Sequence, residues 1–239
     1  MRIAIVSDIH GNRTAFEAVL DDLKQTSPDL ILHGGDLAHG GSSPAHIVDH
    51  IRDLGWPGVL GNTDEMLPMP QSLTEFARHT PQLQPMWDAV EEMADAARGA
   101  LGLQRLAWLA NLPLRQIHGS VALVHASPES LWRSPAADAS DAELDPIYSP
   151  LGQPIAVYGH IHHPFIRPTP GLTVINSGSV SLSYDGDPRA SYLLLDDSTP
   201  AIRRVEYDVD REVQALGAAR IPHADWIAKI LQTARPQMP

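Results

Sequence analysis

Cysteine is absent from the 239 residues, which rules out a disulfide framework, a thiolate metal ligand and a thiol nucleophile. Any metal site must therefore be built from nitrogen and oxygen ligands. Basic residues are scarce. Lys and Arg total 17 against 29 Asp and Glu, giving a formal charge of −12, and no Lys/Arg run occurs anywhere. That balance argues against a broad nucleic-acid face and against stable nucleic-acid binding. No apolar run approaches the roughly 20 residues of a membrane span. The start also lacks a signal-peptide layout, because Arg2 leads directly into a strand-like segment. The expectation is a cytoplasmic protein with no membrane partner. Apolar and charged fractions of 43% and 19% are those of an ordinary globular chain, long enough for a large core.

Histidine, in contrast, is plentiful, with 12 in the chain. The opening stretch Ile3-Ala4-Ile5-Val6-Ser7 has the composition of a strand buried on both faces, and Asp8 and His10 follow it. On an extended backbone two side chains two apart point the same way, so Asp8 and His10 are expected to aim together. Gly11 lets the chain turn, and Asn12 or Thr14 can cap the next helix. That helix, Thr14 to Gln25, carries Ala15, Phe16, Val19, Leu20 and Leu23 as an apolar stripe. Leu30-Ile31-Leu32 reads as a second strand ending in His33-Gly34-Gly35-Asp36. A helix capped at Ser42 or Ser43 then runs to about Leu54, and Gly58-Val59-Leu60 reads as a third strand ending in Gly61-Asn62-Thr63-Asp64. This is the alternation of parallel βαβ units, in which ligands sit beyond the carboxyl ends of the strands. His46 and His50, four apart on the second helix, have no matching signal nearby and read as a solvated face.

From Met66 to Gln116 the pattern is interrupted by an irregular, Met- and Pro-bearing segment and two helical pieces, Trp87–Leu101 and Leu103–Leu109. The block reads as a helical cap inserted beside the site within a single domain spanning 1–239. Met66, Met69, Met86, Trp87 and Met93 read as its own packing. Further strands end in His125, in His160 and His162, and in Asn176. A loop from about Pro128 to Pro154 separates the first two of these. Ser191–Asp196 and Ile202–Tyr207 form a closing antiparallel pair, and a terminal helix spans about 211–233 before a frayed tail.

Five strand ends thus carry ligand-type residues: Asp8 and His10, Asp36, Asn62, His125, and His160 and His162. They are too many for one ion and suit two ions sharing a carboxylate. The order Asp-x-His, Gly-Asp, Gly-Asn, His, Gly-His-x-His resembles the calcineurin-like metallophosphoesterase superfamily, from Ile3 to about Tyr207. The resemblance implies an α/β fold, a four-layer α-β-β-α sandwich of two mixed sheets. It implies Asp8, His10 and His162 on one metal, Asn62, His125 and His160 on the other, and Asp36 bridging. It also implies two divalent metal ions, manganese or iron before zinc, and hydrolysis of a small phosphate-ester substrate, diesters ahead of monoesters, by a metal-bridging hydroxide.

One position departs from the family pattern. Members often carry histidine after the Gly-Asn, where it contacts phosphate and assists the leaving group; here it is Thr63, followed by Asp64. A threonine hydroxyl can bond a phosphate oxygen but is a poor proton donor near neutral pH. The candidates for the missing chemistry are Asp64, His39 as first substitute acid and His163 as a weaker one, with Asn62, Thr63 and Arg13 as phosphate contacts. Asp36 is followed by Leu37-Ala38-His39, not by the Asp-Arg-Gly of the eukaryotic-type Ser/Thr protein phosphatases, so the chain looks closer to small bacterial phosphodiesterase-like members. A phosphomonoesterase and a non-catalytic interaction scaffold on the same fold are the alternatives. A homo-oligomer stays open.

Overall fold

In chain order the strands are β1 (Arg2–Val6), β2 (Leu30–His33), β3 (Arg115–His118), β4 (Val121–Val124), β5 (Ile155–Tyr158), β6 (Phe165–Pro168), β7 (Thr173–Asn176), β8 (Ala190–Asp196) and β9 (Thr199–Val205). The helices are α1 (Arg13–Thr26), α2 (Pro44–Leu54), α3 (Asn62–Met66), α4 (Gln71–Ala77), α5 (Gln84–Ala110), α6 (Asp141–Tyr148), α7 (Val209–Ala218) and α8 (Ala224–Thr233). This computed structural model describes all residues, Met1–Pro239.

The layering follows from the period-two alternation of the strands. Ile3 and Ile5 of β1 face Val121, Leu123, Val157 and Ile175 across the space between two sheets. Ala4 and Val6 turn the other way, onto Ala15, Phe16 and Val19 of α1 and Ile47 and Val48 of α2. On the far sheet, Ala122, Val124, Ala156, Tyr158 and Val174 likewise turn outward, onto Leu144 and Tyr148 of α6. The result is the expected α-β-β-α sandwich. Its first sheet has order β2-β1-β8-β9 and its second β3-β4-β5-β7-β6. Both are mixed: β1 pairs β2 in parallel with Ile3 opposite Leu30, and pairs β8 antiparallel with Ile3 opposite Leu195. In the second sheet β4, β5 and β7 run parallel, with antiparallel β3 and β6 at its edges.

Several expectations are corrected. Gly58–Leu60 is not a strand. It makes a single bridge to β2, with His33 N donating to Pro57 O at 3.0 Å and Val59 N to His33 O at 3.1 Å, after which Leu60 N leaves to bond Pro113 O. The segment before Trp87 contains α4; the expected break between the two helical pieces is present, since α5 is interrupted by non-helical backbone at Gly102 with φ +67°, although its first piece begins earlier, at Gln84. The end of the supposed insertion is strand β3. The loop 128–154 contains α6, opened by a capping box between Ser140 and Glu143. The terminal helix is two, α7 and α8, separated by a turn with Arg220 at φ +54° and by Pro222. The tail is tied down, since Gly186 N donates to Ala234 O and Trp226 Nε1 to Gln237 O, both at 2.9 Å.

Glu212 joins this C-terminal pair to the rest. Its carboxylate, 1% exposed, accepts from Thr14 Oγ1 at 2.7 Å, from Thr14 N at 3.3 Å and from Ser42 N at 3.4 Å. It therefore satisfies donors at the start of α1 and in the loop after Asp36.

His33 is buried beneath Gly58 with neither ring nitrogen paired, and burial pushes its pKa down to about 3. In the unfolded chain the ring takes a proton near its ordinary value of about 6.5. The unfolded state then binds the extra proton, so the fold loses stability as pH drops from about 6.5 toward 3. Urea unfolding of wild type and His33→Phe between about pH 7 and 4.5 should show a shallower decline in the variant, by up to about 1.4 kcal/mol per pH unit. Parallel declines would contradict a neutral His33.

Candidate metal centre

The seven ligand-type residues lie at one end of the two sheets. Asp8 and His10 follow β1, Asp36 follows β2, Asn62 opens α3, His125 follows β4, and His160 and His162 follow β5. The extended backbone expected at Asp8 and His10 is not found. β1 stops at Val6, and Asp8 (φ +56°) and His10 (φ +48°) are both left-handed, as are Asp36 (+55°), His160 (+66°) and His162 (+54°). Convergence is thus made by strained loops, at about 1–2 kcal/mol per non-glycine residue. Hydrogen bonds between the loops hold them: Asp8 N to Gly35 O at 3.0 Å, His10 N to Asp36 O at 2.9 Å and Gly11 N to Leu37 O at 2.8 Å. Two glycines permit the close approach. A Cβ on Gly61 would strike Asp36, and one on Gly159 would strike the Asp8 carboxylate and Ser7.

The proton positions decide what these side chains can bind. His10 Nδ1 faces His39 O at 2.9 Å, His125 Nδ1 faces Gly34 O at 2.8 Å and His162 Nδ1 faces Leu182 O at 2.6 Å. A carbonyl only accepts, so each Nδ1 carries the ring proton and each neutral ring keeps a lone pair on Nε2. Those lone pairs point at other electron donors. His10 Nε2 is 3.2 Å from His162 Nε2, which is 3.1 Å from Asp8 Oδ1. His125 Nε2 is 2.8 Å from Asn62 Oδ1, to which His160 Nδ1 also comes within 2.9 Å. Asp36 stands between the two groups, Oδ2 at 3.6 Å from His10 Nε2 and Oδ1 at 3.4 Å from His125 Nε2.

The electrostatics agree that the cluster is short of positive charge. Burial alone would raise Asp8, but His162, His125 and His10 hold its carboxyl well below the usual range. Burial keeps His10 below its ordinary value and lowers His160 to about 4. At His125 burial opposes a charge, yet Asp36 and Asp8 outweigh it and the pKa rises. Ligand atoms of Asp8, His10, Asp36 and His162 all lie within 4.8 Å of one another, a nitrogen–oxygen set that fits a divalent first-row cation.

A cavity of about 370 Å³ opens above this floor, with His39, Thr63 and Tyr184 at its base and Met86, Trp87 and Trp226 on its walls. A larger groove of about 980 Å³ along residues 127–150 contains none of the seven and is a separate feature.

Residues 1–199 match the model of the calcineurin-like phosphoesterase superfamily domain. The chain belongs to that superfamily. Among its relatives, an uncharacterized protein of Methanocaldococcus jannaschii is 30% identical over 98% of both chains. Phosphodiesterase YfcE of Escherichia coli K12 is 27% identical over 84% of this chain and 91% of its own. The crystal structure of a metallophosphoesterase from Sphaerobacter thermophilus superposes with a TM-score of 0.79 at 27% identity, covering 98% of this chain and 100% of that one.

Within this calcineurin-like phosphoesterase the remaining candidates separate. Arg13 is not brought to the centre; it lies on the exposed face of α1, paired with Glu17 Oε1 at 2.6 Å. His163 does not line the cavity either. Asp64 is fully buried behind the cavity wall, where burial and the neighbouring Asp36 push it up to about 7. Its Oδ1 accepts from Leu37 N at 2.9 Å, so it positions the loop carrying Asp36 and touches no cavity surface. His39 reaches the cavity, but its Nε2–H donates to Val90 O at 3.1 Å, and burial with His10 alongside lowers it to about 4. Neutral near pH 7 with that proton committed, it is poorly suited as an acid. Met86 and Trp87, read as packing, form cavity wall. Met66 and Met93 are both core and wall, and Met69 is neither wall nor floor. Sequence reasoning missed Tyr184, whose ring stacks on His162 at 4.7 Å, and also Trp132 and Trp226; no local pattern marks them.

His39→Gln keeps an N–H for Val90 and is expected to cost less than about tenfold in kcat/KM across pH 6–8. A loss near a hundredfold would return His39 to the role of acid.

Proposed function

We propose that this protein is a metal-dependent hydrolase of phosphate esters, acting on diesters ahead of monoesters with two divalent cations, manganese or iron before zinc. The observation that carries the reading is Asp36 set between two clusters of ligand-type side chains, Asp8/His10/His162 on one side and Asn62/His125/His160 on the other. Bound there, the cations would offset phosphoryl charge and bring a water's pKa toward neutrality. Neutral imidazoles and one amide leave only Asp8 and Asp36 to balance them, so the floor stays attractive to an oxyanion.

The chain's own groups narrow the reaction. Thr63 lines the cavity, and its Oγ1, buried just beneath that surface, has no protein partner. Thr63 N donates to Asp36 Oδ1 at 2.9 Å, tying that carboxylate to the start of α3. No Lys or Arg lines the cavity, which suits the single negative charge of a diester better than a monoester dianion. With His39 committed to Val90, threonine at 63, and burial beside Asp8 and Asp36 pushing the Tyr184 hydroxyl up to about 12, no strong proton donor stands ready for the leaving group. Esters with acidic leaving groups are therefore favoured.

After exposure to Mn²⁺ the protein should carry near two ions per chain by metal analysis. Asp36→Asn should weaken retention of both ions and lower turnover of an aryl phosphodiester by about three orders of magnitude. Full activity in that variant would overturn the assignment, and a metal-free protein would favour a non-catalytic scaffold. Across a series of diesters the rate should fall steeply with leaving-group pKa. Thr63→His, which supplies a protonatable ring, should flatten that dependence; an unchanged slope would show that position 63 does not limit departure.

A further inference from the structure

The cavity above the metal-ligand floor has an unusual upper half. Trp87, Trp132 and Trp226 all line it, and the indole N–H of each is already taken by the protein: Trp87 by Thr80 Oγ1 at 3.0 Å, Trp132 by Glu65 Oε2 at 2.6 Å and Trp226 by Gln237 O at 2.9 Å. What they present to a ligand is ring surface without a donor. Phe76 packs against both Trp132, at 5.0 Å, and Trp87, at 5.6 Å, and fixes those two rings from behind. Gln237 also lines the cavity, and its side-chain amide is turned to Thr233 Oγ1 at 3.3 Å. Met86, Val90 and Met238 complete an apolar wall, with no cationic side chain anywhere on it.

Resting on the phosphodiester reading above, we propose that this wall is the binding site for the non-leaving organic group of the substrate, and that this group is flat, uncharged and aromatic. A second phosphate in that position would lose hydration and find no cation, and a sugar would find only the part-used side-chain amide of Gln237. An aromatic ring loses little and gains stacking against fixed indoles. The volume of about 370 Å³ lies at the small end of ligand cavities and accommodates one such group beside a single phosphate. Much of the wall comes from α8 and the tail. Trp226, Ile227, Ile230 and Met238 follow residue 199, where the match to the superfamily domain ends. The C-terminal segment is thereby a specificity-determining element laid over a shared floor.

The test uses the metal-loaded full chain and two diesters with one leaving group, phenyl 4-nitrophenyl phosphate and methyl 4-nitrophenyl phosphate. The phenyl ester is expected to have at least about tenfold higher kcat/KM. Trp226→Ala should reduce that ratio below about threefold. Met238→Ser, a change at a residue 55% exposed, should reduce it in the same direction without disturbing the core. Binding is read separately from tryptophan fluorescence, in which phenylphosphonate should bind at least about tenfold more tightly than methylphosphonate. Equal ratios for the two esters, or equal affinities for the two phosphonates, overturn the assignment. Selective binding of phenylphosphonate with turnover of neither ester overturns the phosphodiesterase reading and supports the aromatic site.

Discussion

His10 and His162 face each other through unprotonated nitrogens 3.2 Å apart, with the Asp8 carboxylate at 3.1 Å from one of them. Three electron donors in contact, with every available ring proton turned outward to a backbone carbonyl, repel one another unless positive charge sits among them. This crowding is the constraint that the surrounding structure serves. It recurs a few ångströms away, where the unprotonated Nε2 of His125 closes on the Asn62 oxygen at 2.8 Å. It is also why the outward contacts to His39, Gly34 and Leu182 matter as much as the ligands themselves, since each fixes which nitrogen keeps the lone pair.

The sandwich supplies the rigidity that such an arrangement needs. Strands β1, β2, β4 and β5 end near one another, and their buried, two-faced packing leaves the loops beyond them little freedom to relax. Left-handed backbone at Asp8, His10, Asp36, His160 and His162 is unfavourable locally, and interloop hydrogen bonds offset it. Asp64 belongs to this support, holding the chain just after Asp36 from a fully buried position. The centre is stiff because its cost is distributed over the packed core.

Legibility in the sequence followed the range of the interactions. The apolar runs of β1, β2, β4 and β5 and the stripe of α1 are local patterns, and they placed the strand ends and their ligand-type residues. The sandwich, and the place of Asp36 between His10 and His125, came from the order of the motifs and their resemblance to a family. Backbone conformation was not legible: Asp8 and His10 reach the same space through left-handed turns, not through extended chain. Short elements escaped as well. β3 and β6 have four residues each and exist because β4 and β7 offer them an edge. The capping box at Ser140 lay in polar, proline-rich surroundings, and the break at Arg220–Pro222 interrupts an otherwise helical stretch with a single proline. Tyr184, Trp132 and Trp226 join the cavity through tertiary packing alone, and Arg13 was lost to a partner four residues along its own helix.

Glu212 fastens the C-terminal helical pair to the start of α1 and to the Ser42 loop with a single carboxylate, while the reactive floor is drawn from residues before 163. The C-terminal part of the wall is thus tied to the sandwich by Glu212, by the Gly186–Ala234 backbone bond and by the His223–Glu92 pair at 3.0 Å. A lineage that keeps those anchors can vary the side chains that α8 and the tail turn toward the cavity while the ligand-type residues stay as they are.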